Sequence, residues 1–549
     1  MKSVMQHNFA TTPNIDAPRS KFNRTFGHKF TMDVGWLIPY YWDSCLPGDT
    51  FNMQSTIFAR MATPLFPIMD NMYVDTHFFF VPNRIIWENW RKFCGEQENP
   101  ADSIDYQIPI LEDSGGVSTS EPDLALSTPV LRARTLLNYM GVPAGIGPND
   151  VDISALPFRA YSRIYNEWFR DQNLIDSQDG GLRVVDASDN ITNSGEYHPL
   201  QRRGKRHDYF TSALPWPQKG DAVSLPLGTT APITVLNDTG GSTGMTVRLN
   251  ATGGVSGNDT NYQSGGTGTF QENTGTGVYL TYNDTVEADL TSATASTIND
   301  LREAFQVQKL LERDARAGTR YPEIIRNHFG VSFYDASYRP EYLGGGSSPI
   351  NISPVVQQAP TTSGSQLGIG DLAGYGTFTI KGHGFNKSFH EHGIVMGLMS
   401  VRMDLTYQEG LNRHFSHSTR YDIYWPSLAH LGEQSILNKE IYCDGSANDD
   451  LVFGYIPRYD EYRYKPSQIS GLFQNAATAS LESWHLSQHF GTLPSLSQSF
   501  IEEDALSTSV LDRCIQVPSE PHFIVDTYNQ LICARPMPVF GVPGMIDHF

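Results

Sequence analysis

Two histidines in the second half of the chain have the spacing of metal ligands. Five residues after Gly384 comes His390-Glu391-His392, and side chains at i and i+2 point to one face of a strand. Three or more nitrogen and oxygen ligands would complete a site for a divalent metal. The pattern then requires a glutamate at position 396 or 397, where the chain has Met396 and Gly397. The sequence therefore favours structural histidines and predicts neither a metal nor another cofactor.

Two catalytic motifs are also incomplete. Gly240-Gly241-Ser242-Thr243-Gly244 matches the GxSxG pattern, but no predicted strand precedes it and no predicted helix follows it. Gly204-Lys205-Arg206 lacks the serine or threonine of a phosphate-binding loop. No paired carboxylates stand out. The sequence therefore predicts a protein that is not an enzyme, with no catalytic residue.

A basic cluster followed by aromatic residues comprises Arg202, Arg203, Lys205 and Arg206. Tyr209 and the proline-bounded Trp216 come directly after it. Cations interleaved with aromatic rings can hold a nucleic-acid backbone and stack its bases. The favoured interpretation is an interface loop whose arginines meet carboxylates, and contact with DNA is the alternative.

A second basic stretch is the N-terminal arm, residues 1–29. Its cations outweigh the single acid Asp16 and are Lys2, Arg19, Lys21, Arg24 and Lys29. Pro13 and Pro18 discourage regular structure there. We expect either a solvated tail or an arm that lies on a neighbour or a polyanion. The candidates to face DNA are Arg19, Lys21, Arg24 and Lys29.

The overall composition restricts the class of protein. Of 549 residues, 39% are hydrophobic, 18% charged and 11% aromatic, which is typical of a globular protein rich in strand formers. A net charge of −20 argues against nucleic acid as the main ligand of the whole surface. Five scattered cysteines without a CxxC pair indicate free thiols in a reducing cytoplasm. Met1 to Ser20 lack the apolar core of a secretory signal, and no apolar run is long enough to span a bilayer.

The elements that would position these residues are mainly strands. Alternating apolar residues predict three early strands, at 30–38, 50–61 and 72–80. Turn residues but no helix separate them, which favours an antiparallel sandwich or barrel over a parallel α/β sheet. Later strands are predicted at 395–405, 451–455 and 523–534, and the expected total is about eight.

Other segments have helical, loop or linker character. Helical periodicity predicts helices at 84–94, 131–140, 158–170 and 299–317, with a short one from Tyr321 to Gly330. Gly344-Gly345-Gly346-Ser347-Ser348 is predicted to be a flexible joint. From Gly220 to about Thr297, glycine, threonine, serine and asparagine dominate, which is typical of a surface excursion of hairpins and loops.

Several blocks of the chain resemble the major capsid protein of gokushoviruses, the small single-stranded DNA phages of the microvirus family. The blocks are Ile164–Leu174, Lys205–Gly220, Ala304–Arg316, Gly318–Tyr321, Arg339–Gly345, Tyr459–Ser467 and Ser483–Leu486. The likeness covers nearly the whole chain except about 221–297, which resembles the variable insertion of that family.

The resemblance implies a fold that is mainly β with helical insertions: an eight-stranded antiparallel jelly roll of the viral capsid type, with long inter-strand loops. In this layout, 1–29 is the basic arm, and 30–82 with 375–534 forms a discontinuous jelly-roll core. Residues 83–219 and 298–374 are helix-rich insertions. The remaining parts are a Gly/Thr-rich surface protrusion at 220–297 and a C-terminal tail at 535–549.

The resemblance also implies a function and partners. About 60 copies would form a T=1 icosahedral shell around a circular single-stranded DNA genome. The protrusion would attach to a receptor on the host cell. A scaffolding protein would act during assembly in the host cytoplasm, and a small basic DNA-binding protein would lie inside the virion, with no membrane insertion. The rival interpretations are a jelly-roll metal enzyme of the cupin type and a monomeric carbohydrate-binding adhesin.

Overall fold

The computed structural model describes most of the chain outside the Gly/Thr-rich segment. The described residues are 18–100, 105–111, 134–144, 146, 150–177, 199–223, 233–235, 248–251, 278–281, 286–288, 298–332, 338–358, 370–503 and 510–540. The GxSxG match at 240–244, the first part of the arm and residues 541–549 lie outside them.

Strands make up most of the regular structure. In chain order they are β1 Ser20–Asn23, β2 Phe26–Met32, β3 Ile38–Cys45, β4 Thr50–Met61, β5 Met72–Pro82, β6 Ile233–Val235, β7 Arg248–Ala251, β8 Val278–Thr281, β9 Val286–Ala288, β10 Glu341–Pro349, β11 Asn351–Val356, β12 Leu372–Ser388, β13 Gly393–Met403, β14 Thr406–Tyr407, β15 Glu433–Leu437, β16 Val452–Pro457, β17 Ser487–Gln488 and β18 Phe523–Arg535.

Helices are fewer and mostly short. They are α1 Trp90–Phe93, α2 Leu136–Tyr139, α3 Leu156–Ile164, α4 Ile298–Ala317, α5 Tyr321–Phe329, α6 Asn438–Ile441 and α7 Gln498–Ile501, and a π-helical turn at Tyr165–Phe169 continues α3. The predicted helices at 84–94 and 131–140 are thus shorter than expected among the described residues. None of the described helices has the length and apolarity needed to cross a membrane.

Two antiparallel sheets form the main body. The first sheet has the order β1-β18-β4-β12-β11, and β2 also pairs with β18. The second sheet has the order β10-β5-β13-β3. The chain passes from β2 in the first sheet to β3 in the second, back to β4, and again to β5 and β10. It then returns to β12, crosses to β13, and ends in β18 of the first sheet.

This connectivity is that of a jelly roll, so the predicted fold class is confirmed. The strands that carry the crossings are β2, β3, β4, β5, β10, β12, β13 and β18. They are compatible with the predicted count of eight, while β1 and β11 are additional strands of the first sheet.

Side chains between the two sheets form the main hydrophobic core. Along β4, buried and exposed residues alternate from Phe51 to Met61, as the sequence pattern predicted. Phe78 of the second sheet is fully buried, and its ring centre lies 5.2 Å from that of Phe385 in the first sheet. Each such burial contributes about 1.5–3 kcal/mol, which holds the two layers together.

The prediction of one continuous strand over 30–38 is wrong. β2 ends at Met32 and β3 begins at Ile38, since the chain turns between them from one sheet to the other. Gly35 in this corner has φ of 84°, and a Cβ there would lie 2.3 Å from the carbonyl oxygen of Glu503. The apolar alternation runs on through the corner because Val34 and Trp36 are buried as well.

The predicted flexible joint at 344–348 is also wrong. These residues belong to β10, which pairs with β5. A Cβ on Gly345 would lie 2.0 Å from the carbonyl oxygen of Thr76, and one on Gly346 would lie 2.5 Å from His383 Nε2. The glycines therefore allow a close approach of neighbouring groups and do not provide flexibility.

The sequence-based ranges differ from the structure in three places. β1 and the start of β2 lie within the range predicted to be an arm, 1–29. β10 and β11 lie within the helix-rich range 298–374. Between β13 and β18 the described residues form mainly loops, with the short helices α6 and α7 and the small pairs β14–β17 and β15–β16, although 375–534 was predicted to be jelly-roll core. In all three ranges, whether a segment forms a strand depends on partners that are distant in sequence, which short-range patterns do not reveal.

Residues 218–314 form a separate compact unit. Its described strands make two antiparallel pairs, β6 with β9 and β7 with β8. That this unit projects as a surface protrusion stays a prediction.

Candidate functional site

The basic cluster lies on an extended segment between the Gly35 corner and α7. The Arg203 amide donates to the Gly35 carbonyl at 2.7 Å, and the Lys205 amide donates to the Ile501 carbonyl at 2.8 Å. The Glu503 amide donates to the Arg203 carbonyl at 2.8 Å. These backbone hydrogen bonds fix the position of the main chain from which each cationic side chain extends.

Arg203 binds a carboxylate inside the subunit. Its Nη1 donates to Asp75 Oδ2 at 2.7 Å and to Ser400 Oγ at 2.6 Å. Arg402 Nη2 donates to the same Asp75 oxygen at 2.7 Å. Asp75 is 3% exposed and Arg203 8% exposed, so one buried carboxylate is shared by two guanidinium groups.

The surroundings set the protonation of this group of residues. Burial raises the pKa of Asp75, but Arg203, the Ser347 hydroxyl and Arg402 outweigh it, and the pKa lies below its ordinary value. Burial and the neighbouring Arg402 lower the pKa of Arg203 to about 10, so it stays protonated at neutral pH. Burial and the Arg203 charge lower the pKa of His77 to about 3, so this ring is neutral there.

Lys205 and Arg206 are held by different elements. Lys205 is 5% exposed, and its Nζ donates to Gln488 Oε1 at 3.0 Å and lies 4.5 Å from the ring centre of Phe500. Arg206 binds Asp404 at 2.8 Å, and its side chain remains 39% exposed. Each cation therefore ties the segment to a separate part of the loop region.

The structure thus brings the four predicted residues into contacts within one chain. The interpretation of arginines that meet carboxylates describes Arg203 and Arg206, while Arg202 lies over the Trp36 ring at 4.2 Å. Arg203 and Lys205 are 8% and 5% exposed and are bound to partners within the subunit. That any of the four residues contacts DNA stays a prediction.

A cavity of about 520 Å³, open to solvent, adjoins the cluster. Its cationic lining residues are Arg170, Arg203, Lys205, Arg320 and Arg402, and its carboxylates are Asp171 and Glu323. Burial and the facing Arg320 lower the pKa of Arg170. This excess of positive charge suits an anionic group. Sequence reasoning missed the cavity because its cations come from four separate segments.

Two of the four arm candidates lie on the outward face of the first sheet, the face turned away from the core. Lys21 on β1 and Lys29 on β2 are both exposed there. Lys29 Nζ lies 3.0 Å from Asp526 Oδ1 on the neighbouring β18. That these lysines face DNA stays a prediction.

The other two candidates lie at the margin of this sheet. Arg24 forms an ion pair with Asp43, and Arg19 Nη2 donates to Thr50 Oγ1 at 2.5 Å. Both arginines thus anchor the segment around β1 to β3 and β4. Their contact with DNA likewise stays a prediction.

The paired histidines do not share a strand face. His390 and His392 lie in the turn between β12 and β13. The intervening Glu391 binds Arg84 Nε at 2.8 Å, and the His392 ring centre lies 5.5 Å from that of Trp90. In the part of the chain that the structure describes, no group of three or more His, Cys, Asp and Glu residues could hold a metal ion.

An exposed aromatic surface, which the sequence analysis did not predict, lies on the loops between β13 and β18. We name it the aromatic loop surface; its members are Phe415, Tyr421, Tyr424, Trp425 and Tyr462. Their exposures run from 41% for Trp425 to 79% for Phe415. The ring centres of Tyr424 and Tyr462 lie 6.4 Å apart, and clustered exposed apolar side chains mark interaction sites. The sequence signal that could have revealed this surface is a dense run of aromatic residues with neither strand nor helix periodicity. Because such a run belongs to no predicted element, it has no face that would be expected to pack against the core.

Comparison with known proteins gives one consistent result. A family described as "Capsid protein (F protein)" matches residues 10–545. The chain belongs to this capsid protein family. Capsid protein VP1 of Bdellovibrio phage phiMH2K is 43% identical over 99% of this chain and 98% of the relative. VP1 of Chlamydia phage 1 is 38% identical over 99% and 98%, and VP1 of Spiroplasma virus 4 is 32% identical over 98% and 97%.

The predicted resemblance to gokushovirus major capsid proteins is confirmed by this family and these relatives. The capsid protein is a structural component of the virion and not an enzyme, so the metal-enzyme and adhesin interpretations are set aside. Its functional sites are therefore surfaces that bind other molecules. In the described residues, the aromatic loop surface and the outward face of the first sheet are candidates for such surfaces.

Proposed function

We propose that about 60 copies of this capsid protein close into a T=1 icosahedral shell around single-stranded DNA. The observation that carries the proposal is the aromatic loop surface, exposed on a folded subunit of the capsid family. Stable contacts between subunits need roughly 800 Å² per partner, and their buried centres are enriched in aromatic residues. The loops between β13 and β18 supply such residues in exposed positions.

A test of assembly uses Phe415→Ser combined with Tyr421→Ser. Both side chains are more than half exposed, at 79% and 65%, so the folded subunit should keep its thermal midpoint. The assembled fraction in analytical ultracentrifugation should fall sharply. Val151→Ser, at an exposed apolar residue outside this surface, is the matched control and should assemble normally. Complete particles from the double variant would contradict the role of the surface.

The second unit is proposed to attach the particle to a host-cell receptor. Support comes from its loop-rich composition and from its separation as a compact unit at 218–314. Replacing 221–297 with a short Gly/Ser linker should leave a subunit that still forms shells, while phage carrying it should no longer adsorb to host cells. Unchanged adsorption would contradict the proposal.

The C-terminal tail, 535–549, is proposed to lie along an adjacent subunit. Arg535 is anchored by Asp49 at 3.2 Å, whereas Val539 and Phe540 beyond it are 57% and 79% exposed. Truncation after Arg535 keeps the anchor and should give a folded subunit that does not close shells. Sedimentation of the truncated chain as complete particles would show that the tail makes no such contact.

A scaffolding protein and a small basic DNA-binding protein are proposed as further partners during assembly in the host cytoplasm. A subunit with net charge −20 leaves most of the genome's charge to be neutralised by another protein, which supports the second partner. Omitting each partner in turn during co-expression should lower, respectively, the yield of closed shells and the DNA content per shell.

A further inference from the structure

The strands of the first sheet are nearly free of acidic residues. In a chain with 59 Asp and Glu residues, β1, β2, β4, β11, β12 and β18 contain only Asp526. On the outward face of this sheet the exposed cations are Lys21, Lys29, Arg60 and Lys381. The net charge of the exposed strand residues on this face is thus positive, although the net charge of the whole protein is strongly negative.

Aromatic rings lie among these cations. Phe58, Tyr375 and Tyr528 are 43%, 52% and 51% exposed on the same face. Large exposed rings in the middle of a sheet leave apolar surface in water, which costs free energy unless something covers them.

Strand register places the rings and cations in adjacent rows. Lys381, Thr56 and Tyr528 are direct partners across β12, β4 and β18. In the next row, Phe58 lies opposite Asp526, which lies opposite Lys29. Phe58 and Tyr528 are therefore diagonal neighbours, at about 7–8 Å.

We propose that the outward face of the first sheet binds single-stranded DNA, with bases stacked on Phe58 and Tyr528 and phosphates held by Lys29, Arg60 and Lys381. The inference rests on the proposed enclosure of a single-stranded genome and assigns it a surface. Diagonal rings let neighbouring bases of an extended strand each reach one ring. Exposed hydroxyl and amide groups in the same and the following row, such as those of Thr56 and Gln54, can bond base edges.

Nucleic acid fits this face better than a second copy of the chain does. Protein interfaces have centres depleted in lysine, whereas lysines lie in the same rows as the rings here. Unpaired bases offer both a ring face and a phosphate to such a pattern, and duplex DNA offers only the phosphate.

Asp526 is the one acidic residue on the described strands of this face, and its charge repels an anion. Its Oδ1 lies 3.0 Å from Lys29 Nζ, so a phosphate must compete with it for the ammonium group. Removing its charge with Asp526→Asn should therefore strengthen DNA binding. A surface that served only as a structural sheet face would show no such gain.

The test measures fluorescence anisotropy of a short labelled oligothymidylate with the full-length chain over a series of salt concentrations. Phe58→Leu and Tyr528→Leu should each weaken binding about tenfold, since stacking on one ring has that size. Lys29→Gln with Lys381→Gln should lower the slope of log affinity against log salt by about 1.4, since each single-strand phosphate contact contributes about 0.7. Tyr464→Leu and Lys465→Gln, exposed loop residues away from the sheet, are the matched controls.

The outcomes are distinct. Sheet variants that fold, by circular dichroism, and bind like the unaltered chain overturn the proposal, as does an unaltered chain that binds no oligothymidylate. Equal affinity for duplex DNA, with no effect of the two ring variants, overturns the stacking role. Sedimentation of the unaltered chain without DNA tests shell formation separately. A chain that assembles but does not bind DNA therefore refutes only this inference.

Discussion

The two sheets of the jelly roll differ in what covers their outward faces. Along β4 and β18 of the first sheet, every second side chain is exposed. In the second sheet, nearly every residue of β5 and β13 is buried. The difference arises because the π-helical turn after α3 packs on the second sheet, where Phe79 lies 5.5 Å from Trp168 and 5.8 Å from Phe169 between ring centres.

This difference separates stability from binding. The covered face of the second sheet contains the buried ion pairs of Asp75, and its side chains serve the subunit's own fold. The bare face of the first sheet contains solvated cations and rings that contribute little to folding. Substitutions of the same kind on the two faces should therefore have very unequal effects on stability.

The largest difference is expected for a carboxylate introduced at an aromatic position. Phe79 is 1% exposed on the second sheet, so Phe79→Asp buries an unpaired charge and should prevent folding. Phe58 is 43% exposed on the first sheet, so Phe58→Asp should change the free energy of unfolding by only about 0.5 kcal/mol. Soluble yield and far-UV circular dichroism distinguish the two. If Phe79→Asp and Phe58→Asp lost soluble yield and folded signal equally, the outward face of the first sheet would not be bare in the isolated subunit.

A smaller difference is expected for the arginines. Arg203→Met leaves the buried Asp75 with only one guanidinium partner and should lower the free energy of unfolding by about 3 kcal/mol. Arg60→Met, on the exposed face, should lower it by less than about 0.5 kcal/mol. Denaturant titration of both proteins measures the contrast. A small effect at Arg203 would mean that Arg402 alone satisfies the carboxylate.

The second sheet should also make stability dependent on pH. The pKa of His77 is about 3 in the fold and ordinary in the unfolded chain, so below about pH 6.5 only the unfolded chain takes up the proton. Stability should therefore fall with decreasing pH between about 6.5 and 3, by up to about 1.4 kcal/mol per pH unit from this group. Asp75, with its lowered pKa, adds a further loss at the acid end, as pH falls through that lowered value.

Thermal midpoints measured across this pH range test the expected loss of stability at low pH. In His77→Gln the thermal midpoint should depend less on pH. Some dependence should remain, because the charged neighbours Arg203, Asp75 and Arg402 are unchanged. His390→Gln, in an exposed turn, should leave it unchanged. An unaltered slope in His77→Gln would rule out His77 as the source.

The smallest effect is expected at the ion pair of Lys29 with Asp526. The two side chains are 78% and 53% exposed, so solvent screens the attraction. Lys29→Met should change the free energy of unfolding by no more than about 0.5 kcal/mol. A loss of several kcal/mol in denaturant titration would mean that the arm stabilises the first sheet far more than its exposed contacts indicate.

Sequence reasoning predicted a strand correctly where the alternation of apolar and polar residues is visible within that strand alone. The strand at 50–61 and the one at 523–534 were predicted within one residue, because each alternates between a core and a solvent face. It failed at 30–38, where buried residues continue through a corner, and at 344–348, where glycines permit close packing in a strand. It also could not separate buried from exposed cations, since Arg203 and Arg206 are three positions apart and look alike in sequence.

The sequence by itself determined the jelly-roll class and the capsid family, because strand periodicity and long matching blocks are local properties of the chain. Only the tertiary structure decided which sheet face is bare and which cations are buried. Arg203 and Arg402 meet at Asp75 from sequence separations of 128 and 327 residues. The rows of the first sheet likewise join β2, β4, β12 and β18 from both ends of the chain. Burial and charge at such positions follow from which distant segments pack together, and no short-range pattern encodes that.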